Sequence, residues 1–374
     1  MGGGEGLSDL EALIKDFEAN GFKVSAEGFE GGREGRDAPI VKAVKRGLPA
    51  LYLSVISDLS GRRRPSIIKV ADGSVVERFT HTKVPPRELD DIVCPSFLEL
   101  KWAYGCPFNC SYCYLQGTLR LLPTKKRPMA KDFKKVERHL AAFLEAPLRE
   151  PEVLNTGELC DSLMFEGTPL RDHSITERVL PLFGDPSINK VGHRALLVTK
   201  SDRVERLLER ADPKTTIASF SVNTEEAFKA WEKGTAHPYS RIEAAGELQR
   251  AGFEVRVRID PIIPFPQSSW RSKYCELIDR VFSSLSPSRI TLGTLRGLRT
   301  TIREARDRSW TRFVEVPSKW GLRPRYEVRY EAYKALVDYL LKEYGYVDVA
   351  LCKEEVRMWQ DLGLDWRNRR CNCI

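Results

Sequence analysis

Hydrophobic and polar positions follow two different periods along the chain. Near the start, Leu10, Leu13, Ile14 and Phe17 recur at helical spacing, and Asn20-Gly21 supplies a stop signal. A Gly/Arg/Glu-rich stretch, 28–37, reads as a mobile loop. Apolar runs at 50–57 and 65–70 then read as strands, with the basic loop Arg62-Arg63-Arg64 between them and Pro85-Pro86 as a boundary. From about residue 96 the pattern becomes regular. Strand-like runs at 97–102, 152–156, 194–199, 216–222, 254–259 and 289–294 alternate with helical patterns at 131–145, 204–211, 241–251 and 273–284. In 241–251, Ile242, Ala245 and Leu248 share one face, and Gly252 ends the helix. A last helical pattern covers 330–344, followed by Cys352 and a basic tail at 367–373.

Six strands alternating with helices predict a parallel sheet with helices outside, either open and doubly wound or a partial barrel. In both, functional residues gather at the C-terminal ends of the strands. The chain divides into an N-terminal extension (1–95), a core (96–300) and a C-terminal region (301–374).

Composition narrows the class. A chain of 374 residues, 42% hydrophobic and 30% charged, has the makings of a large buried core. The longest nearly apolar stretch, 48–56, contains Pro49 and is far too short to cross a membrane, and the Gly-rich acidic start is no signal peptide. A cytoplasmic protein without a membrane partner is therefore expected. The net charge of +8 permits a nucleic-acid partner without demanding one, because opposite charges are interspersed. Nine cysteines, odd in number and clustered, point to metal or redox chemistry in preference to a disulfide framework.

The strongest signal is Cys106-Pro-Phe-Asn-Cys110-Ser-Tyr-Cys113, a C-x3-C-x2-C run directly after the first core strand. Three thiolates on a short loop can hold three irons of a 4Fe-4S cluster and leave the fourth open to a chelating small molecule. A structural zinc site needs four ligands, and His139 and Cys160, next in sequence, complete no usual spacing.

This motif in an alternating β/α chain resembles the radical S-adenosyl-L-methionine (SAM) superfamily. The resemblance implies that the open iron chelates SAM, whose reductive cleavage gives methionine and a 5′-deoxyadenosyl radical that abstracts hydrogen from a substrate. The chain resembles the spore photoproduct lyase family more closely, from about Cys94 to about Arg299. The segments that carry this are Ser111-Tyr-Cys-Tyr-Leu-Gln-Gly-Thr-Leu119, Leu197-Val-Thr-Lys200, Phe220-Ser-Val-Asn223 and Arg258-Ile-Asp-Pro-Ile-Ile-Pro264, with Gly234-Thr235 and Arg241. The fold it implies is a partial (β/α)6 barrel.

Residue roles follow from the resemblance. Lys200 would pair with the SAM carboxylate, Ser221 would donate to it, and Asp260 would accept from the ribose or amino group. Read alone, Lys200 is a solvated lysine at a helix start and Asp260 the cap of a turn before Pro261. Tyr112 and Tyr114 match tyrosines implicated in SAM contact and hydrogen return, although aromatics beside a cluster also shield it. Asn155-Thr-Gly-Glu-Leu-Cys-Asp-Ser162 departs from the lyase pattern. The lyase's hydrogen-donating cysteine falls at Glu158 and a following serine at Cys160. Thr156-Gly157-Glu158 resembles instead the superfamily motif whose carboxylate receives the SAM amino group. Cys160, two residues on, would share a face with Glu158 if both lie on a strand, and either donates hydrogen or merely packs.

The remaining cysteines leave alternatives. Cys352, Cys371 and Cys373 lie outside the resemblance. They form an auxiliary iron–sulfur or zinc site with Cys94 or Cys275 as fourth ligand, a redox pair, or a reduced exposed tail. Six arginines lie in 296–312 against Glu304 and Asp307, with further basic runs at 62–64, 125–127 and 367–370. With Trp310, Trp320 or Tyr326 stacking, these would suit a nucleic acid, and equally a solvated surface. The expectation is a radical SAM, lyase-like enzyme acting in DNA repair on a thymine-dimer lesion, drawing electrons from a flavodoxin or ferredoxin. The first alternative modifies a peptide, RNA or small metabolite with an auxiliary metal site. A non-catalytic, zinc-stabilised nucleic-acid binder is the alternative of another class.

Overall fold

Continuous apolar runs buried on both faces form the parallel strands of one large mixed sheet, and its topology sets where chemistry can occur. The computed structural model describes residues 5–28, 39–80 and 82–374; the loop reading for 28–37 therefore lies outside the described residues after Gly28. Helix α1 (Glu5–Ala19) packs on five antiparallel strands: β1 (Lys23–Gly28), β2 (Ile40–Val44), β3 (Leu51–Ser57), β4 (Arg63–Val70) and β5 (Val76–Phe79). These continue into β6 (Phe97–Leu100) through antiparallel pairing of β5. The N-terminal region is thus an edge of the same sheet, and one hydrophobic cluster runs from Leu10 to Trp366.

From β6 onward the pairing is parallel. The order is β6, then β7 (Val153–Asn155), β8 (Arg194–Thr199), β9 (Thr216–Ser221), β10 (Glu254–Ile262), β11 (Arg289–Thr294) and β12 (Val349–Leu351). Outer helices include α2 (Phe133–Leu144), α3 (Glu205–Arg210), α4 (Pro238–Arg250), α5 (Trp270–Ser284) and α6 (Tyr326–Tyr344). Asp132 caps α2 by accepting from the Lys134 N–H, and the Phe133, Val136, Leu140 and Phe143 face is buried. Gly252 takes a positive φ of 92° just past α4, the left-handed turn anticipated there.

All six expected core strands form, and β12 is a seventh that three residues could not announce. A two-residue antiparallel ladder, Glu354↔Val93 and Glu355↔Ile92, ties the segment after β12 to the segment before β6. This brings the two ends of the parallel array together and makes a barrel-like enclosure. Among the described residues, no helix is long and apolar enough to cross a membrane.

Candidate active site

The C-terminal ends of the parallel strands open into a cavity of about 650 Å³, a size suited to a cofactor and part of a substrate. Cys106, Cys110 and Cys113 all line it. Their loop is strapped on several sides. Asn109 and Cys110 pair with Lys233 and Glu232, the Ser111 N–H donates to the Trp231 carbonyl at 2.8 Å, and the Cys106 N–H to the Lys126 carbonyl at 3.0 Å. Gly105 has φ 78°, and a Cβ there would sit 2.1 Å from the Arg127 carbonyl oxygen, so no other residue fits.

The thiols suit an iron–sulfur cluster. Burial pushes Cys110 up to about 12 and Cys106 well above its ordinary value, so a metal would have to displace their protons. Among the described residues, no three His, Cys, Asp or Glu side chains converge on one point as ligands of a single ion do. Thiolates of a cluster bond different irons and have no need to converge.

The charges around this loop are organised by a residue the sequence reading passed over. Glu232 is fully buried and accepts from Lys200 Nζ at 2.7 Å, from Arg241 Nη2 at 2.8 Å and from the Tyr112 hydroxyl. Burial opposes its ionisation, yet Lys200 and Arg241 hold it down at about 2. Of these two cations Lys200 lines the cavity, where its backbone N–H also donates to the buried Asp161 carboxylate at 2.7 Å. Lys200 is therefore no solvated lysine. Thr235 accepts from Arg241 Nη2 at 2.6 Å, and Arg241 Nη1 donates to the Ser221 carbonyl at 2.8 Å, so the Gly-Thr and Arg signals belong to the same knot. A buried arginine needs an anion, and that need was the one signal for Glu232.

The second-strand segment differs from expectation. Strand β7 stops at Asn155, so Glu158 and Cys160 do not lie on a strand, and the same-face argument fails. The cause is local: the Asn155 side chain accepts from the Gly157 N–H at 2.9 Å and donates to Glu158 Oε1 at 3.0 Å, folding the chain into a turn. Both residues still line the cavity. Cys160 is buried and its thiol donates to the Thr156 carbonyl at 3.4 Å. Tyr114, 41% exposed, directs its hydroxyl at Glu158, 3.4 Å from Oε2 and bonded to its carbonyl oxygen.

Ser221 and Asp260 reach the same space from β9 and β10. Asp260 is ion-paired with Arg296, whose Nη2 is 2.7 Å from each carboxylate oxygen. A Cβ on Gly293 would strike the Asp260 carboxylate at 2.5 Å, so the glycine admits it. Glu99 on β6 is another cavity residue without a sequence signal. Burial and the Glu158 charge push it up to about 7, with Lys101 opposing.

The other cysteines divide sharply. Cys94, Cys352, Cys371 and Cys373 line the same cavity, which overturns the exposed-tail reading. Cys275 sits on α5, away from the cavity lining, and drops out as a partner. Trp310 is fully buried with its indole N–H on the Asp307 carbonyl, so it cannot stack on a base, and Tyr326 donates to Asp361. Trp320 does line the cavity.

With the geometry in place, comparison with known proteins is informative. The spore photoproduct lyase family model matches residues 95–295. Spore photoproduct lyases of Bacillus subtilis (strain 168) and Geobacillus sp. (strain Y412MC61) are 28% and 27% identical over 187 and 185 residues. Those alignments cover 50% and 49% of this chain, and 51% and 50% of theirs. The chain thus spans about half the length of the curated relatives it matches. A solved spore photoproduct lyase complexed with dinucleoside spore photoproduct is similar with a TM-score of 0.54 and 20% identity, over 68% of this chain and 75% of that one. A mutant lyase with bound AdoMet and dinucleoside spore photoproduct gives 0.54 at 19% identity over the same shares. At such identities the likeness is one of fold.

Proposed function

The chain belongs to the spore photoproduct lyase family, and we propose that it is a radical SAM enzyme whose 4Fe-4S cluster is held by Cys106, Cys110 and Cys113. The observation that carries this reading is the strapped three-thiol loop on a cavity with a buried Lys200–Glu232–Arg241 knot beside it. When bound, cluster and SAM supply a 5′-deoxyadenosyl radical, which abstracts hydrogen from a substrate.

This chain's residues hold and orient. The Lys200 ammonium on the cavity wall would pair with the SAM carboxylate, and the Ser221 hydroxyl would donate to it. Glu158, steadied by the Asn155 amide, is placed to accept from the SAM amino group. Asp260 contributes as a carboxylate shared with Arg296, so it accepts from the ribose or amino group only alongside that guanidinium. Tyr112 is committed to Glu232 and acts by supporting Lys200, whereas Tyr114 is the better-exposed phenol.

For the substrate we propose DNA bearing a thymine-dimer lesion. Support comes from the family and from the dinucleoside spore photoproduct carried by solved relatives of the same fold. Within this chain, Lys353 and Arg369 on the cavity wall offer charge to phosphate, Lys353 lying over the Trp320 ring at 4.2 Å. Cys160 and Tyr114, which both line the cavity, would return hydrogen. An electron donor of the flavodoxin or ferredoxin kind completes the scheme.

The test is anaerobic reconstitution with iron and sulfide, then reduction in the presence of SAM. About four irons in the loop and release of 5′-deoxyadenosine are expected. Iron uptake without SAM cleavage would reject the enzyme reading. An enzyme that cleaves SAM yet leaves spore-photoproduct oligonucleotide unchanged would keep the radical chemistry and redirect the substrate to a peptide, RNA or metabolite.

A further inference from the structure

Four thiols outside the family match are gathered in this cavity with no part in the scheme above. Cys94 precedes the matched residues, while Cys352, Cys371 and Cys373 follow them. They arrive from three separate segments. The ladder pairing Glu354 with Val93 places Cys94 and Cys352 beside its two strands, one residue beyond Val93 and two before Glu354. Residues 371–374 then come in from far along the chain.

That last segment is anchored, not loose. Asn372 is fully buried and points away from the thiols into the sheet. Its amide donates to the Val257 carbonyl at 2.8 Å and to Ser219 Oγ at 3.1 Å, and its Oδ1 accepts from Thr291 Oγ1 at 2.9 Å. Arg256 Nη1 donates to the Ile374 carbonyl at 2.7 Å, and Arg289 Nη1 to the Cys371 carbonyl at 3.0 Å. With the middle residue fixed in this way, the flanking Cys371 and Cys373 both line the cavity as free thiols. Cys94 and Cys352, beside the ladder, line the same cavity wall.

Cationic donors are aimed at the sulfurs. The buried Arg258 guanidinium donates to Cys373 Sγ at 3.3 Å, and Arg296, whose Nη2 is chiefly ion-paired with Asp260, lies 3.8 Å from Cys352 Sγ with its Nη1 on the Cys352 carbonyl at 3.1 Å. A guanidinium N–H is wasted on a neutral thiol and well used on an anionic, metal-bound thiolate. We propose that Cys94, Cys352, Cys371 and Cys373 ligate a second iron–sulfur cluster on the wall of the cavity. A polynuclear cluster suits the arrangement better than one zinc ion, because no three of these ligands converge on a single point among the described residues. The site stands whether or not the loop thiols hold their own cluster.

The experiment is metal analysis of the full chain after anaerobic reconstitution, on wild type, on C106A/C110A/C113A and on C371S/C373S. The loop variant is expected to retain about two to four irons per chain, and the C371S/C373S variant to lose that share while keeping about four. Circular dichroism and thermal melting establish that each variant is folded. Iron lost from the loop variant but unchanged in C371S/C373S would overturn the proposal. So would stoichiometric zinc bound by these thiols, or a Cys371–Cys373 disulfide found by mass spectrometry with no metal uptake. Should the loop variant fail to fold, an unaltered iron count and absorption spectrum in C371S/C373S decides against the site. Failure of SAM cleavage in wild type would strike the enzyme reading alone.

Discussion

Two groups of cysteines face one cavity, and they were reached by opposite routes. Cys106, Cys110 and Cys113 lie within eight residues, so a local spacing announces them. Cys94, Cys352, Cys371 and Cys373 span 280 residues and meet only because a ladder and an anchored Asn372 bring their segments together. Their supports differ as well. The loop leans on a carboxylate, Glu232, that gathers two cations and a phenol. The second group has the Arg258 guanidinium on Cys373 Sγ and Arg296, shared with Asp260, beside Cys352 Sγ. A local motif can be read from sequence because its geometry is its spacing; a site assembled by tertiary contacts cannot.

The sharpest way to separate the two groups is to break one support at a time. Glu232→Gln leaves Arg241 buried against a neutral amide and should cost about 3–5 kcal/mol of stability. Denaturant melts measure that loss, and the same variant should bind SAM more weakly while the second group keeps its metal. Next in size is a control remote from both groups. Burial opposes ionisation of Glu152, but Arg78, Arg64 and the Ser66 hydroxyl hold it at about 2. Because its folded value lies below the unfolded one near 4.5, its stabilisation is full above that pH and is lost as pH falls toward 2. It amounts to about 3 kcal/mol, and Glu152→Gln should flatten that part of the stability–pH curve without touching iron content.

A smaller effect is expected at the anchor of the second group. Asn372→Ala strands the buried partners Ser219 and Thr291, costing about 1–3 kcal/mol, and should reduce only the second share of iron. The smallest effect is on cofactor affinity. Glu158→Gln removes a charge facing the SAM amino group and should weaken SAM binding about tenfold, read by equilibrium dialysis, with iron content unchanged.

Much of the fold was legible because period decides it. The runs at 194–199 and 289–294 formed as read, since fully buried parallel strands are simply apolar stretches. Strand β12 was not legible, for three residues carry no period. The 152–156 run was read too long because Asn155 turns the chain with its own side chain, and side-chain hydrogen bonds leave no hydrophobic pattern. In the site, Lys200, Ser221, Glu158, Asp260 and both tyrosines do reach one cavity. What stayed hidden was pairing: that Lys200 meets Glu232 and Asp260 meets Arg296 depends on strand neighbours, which spacing along one segment does not encode.

The most direct test of the central claim is electron paramagnetic resonance on reduced, reconstituted C94S/C352S/C371S/C373S protein, with and without SAM. This background leaves the loop thiols as the only cysteines lining the cavity besides Cys160. The account predicts a 4Fe-4S signal from the loop that changes when SAM is added, because SAM would bind the iron that the three cysteines leave open. A loop that takes up no cluster, or a signal indifferent to SAM, would contradict it.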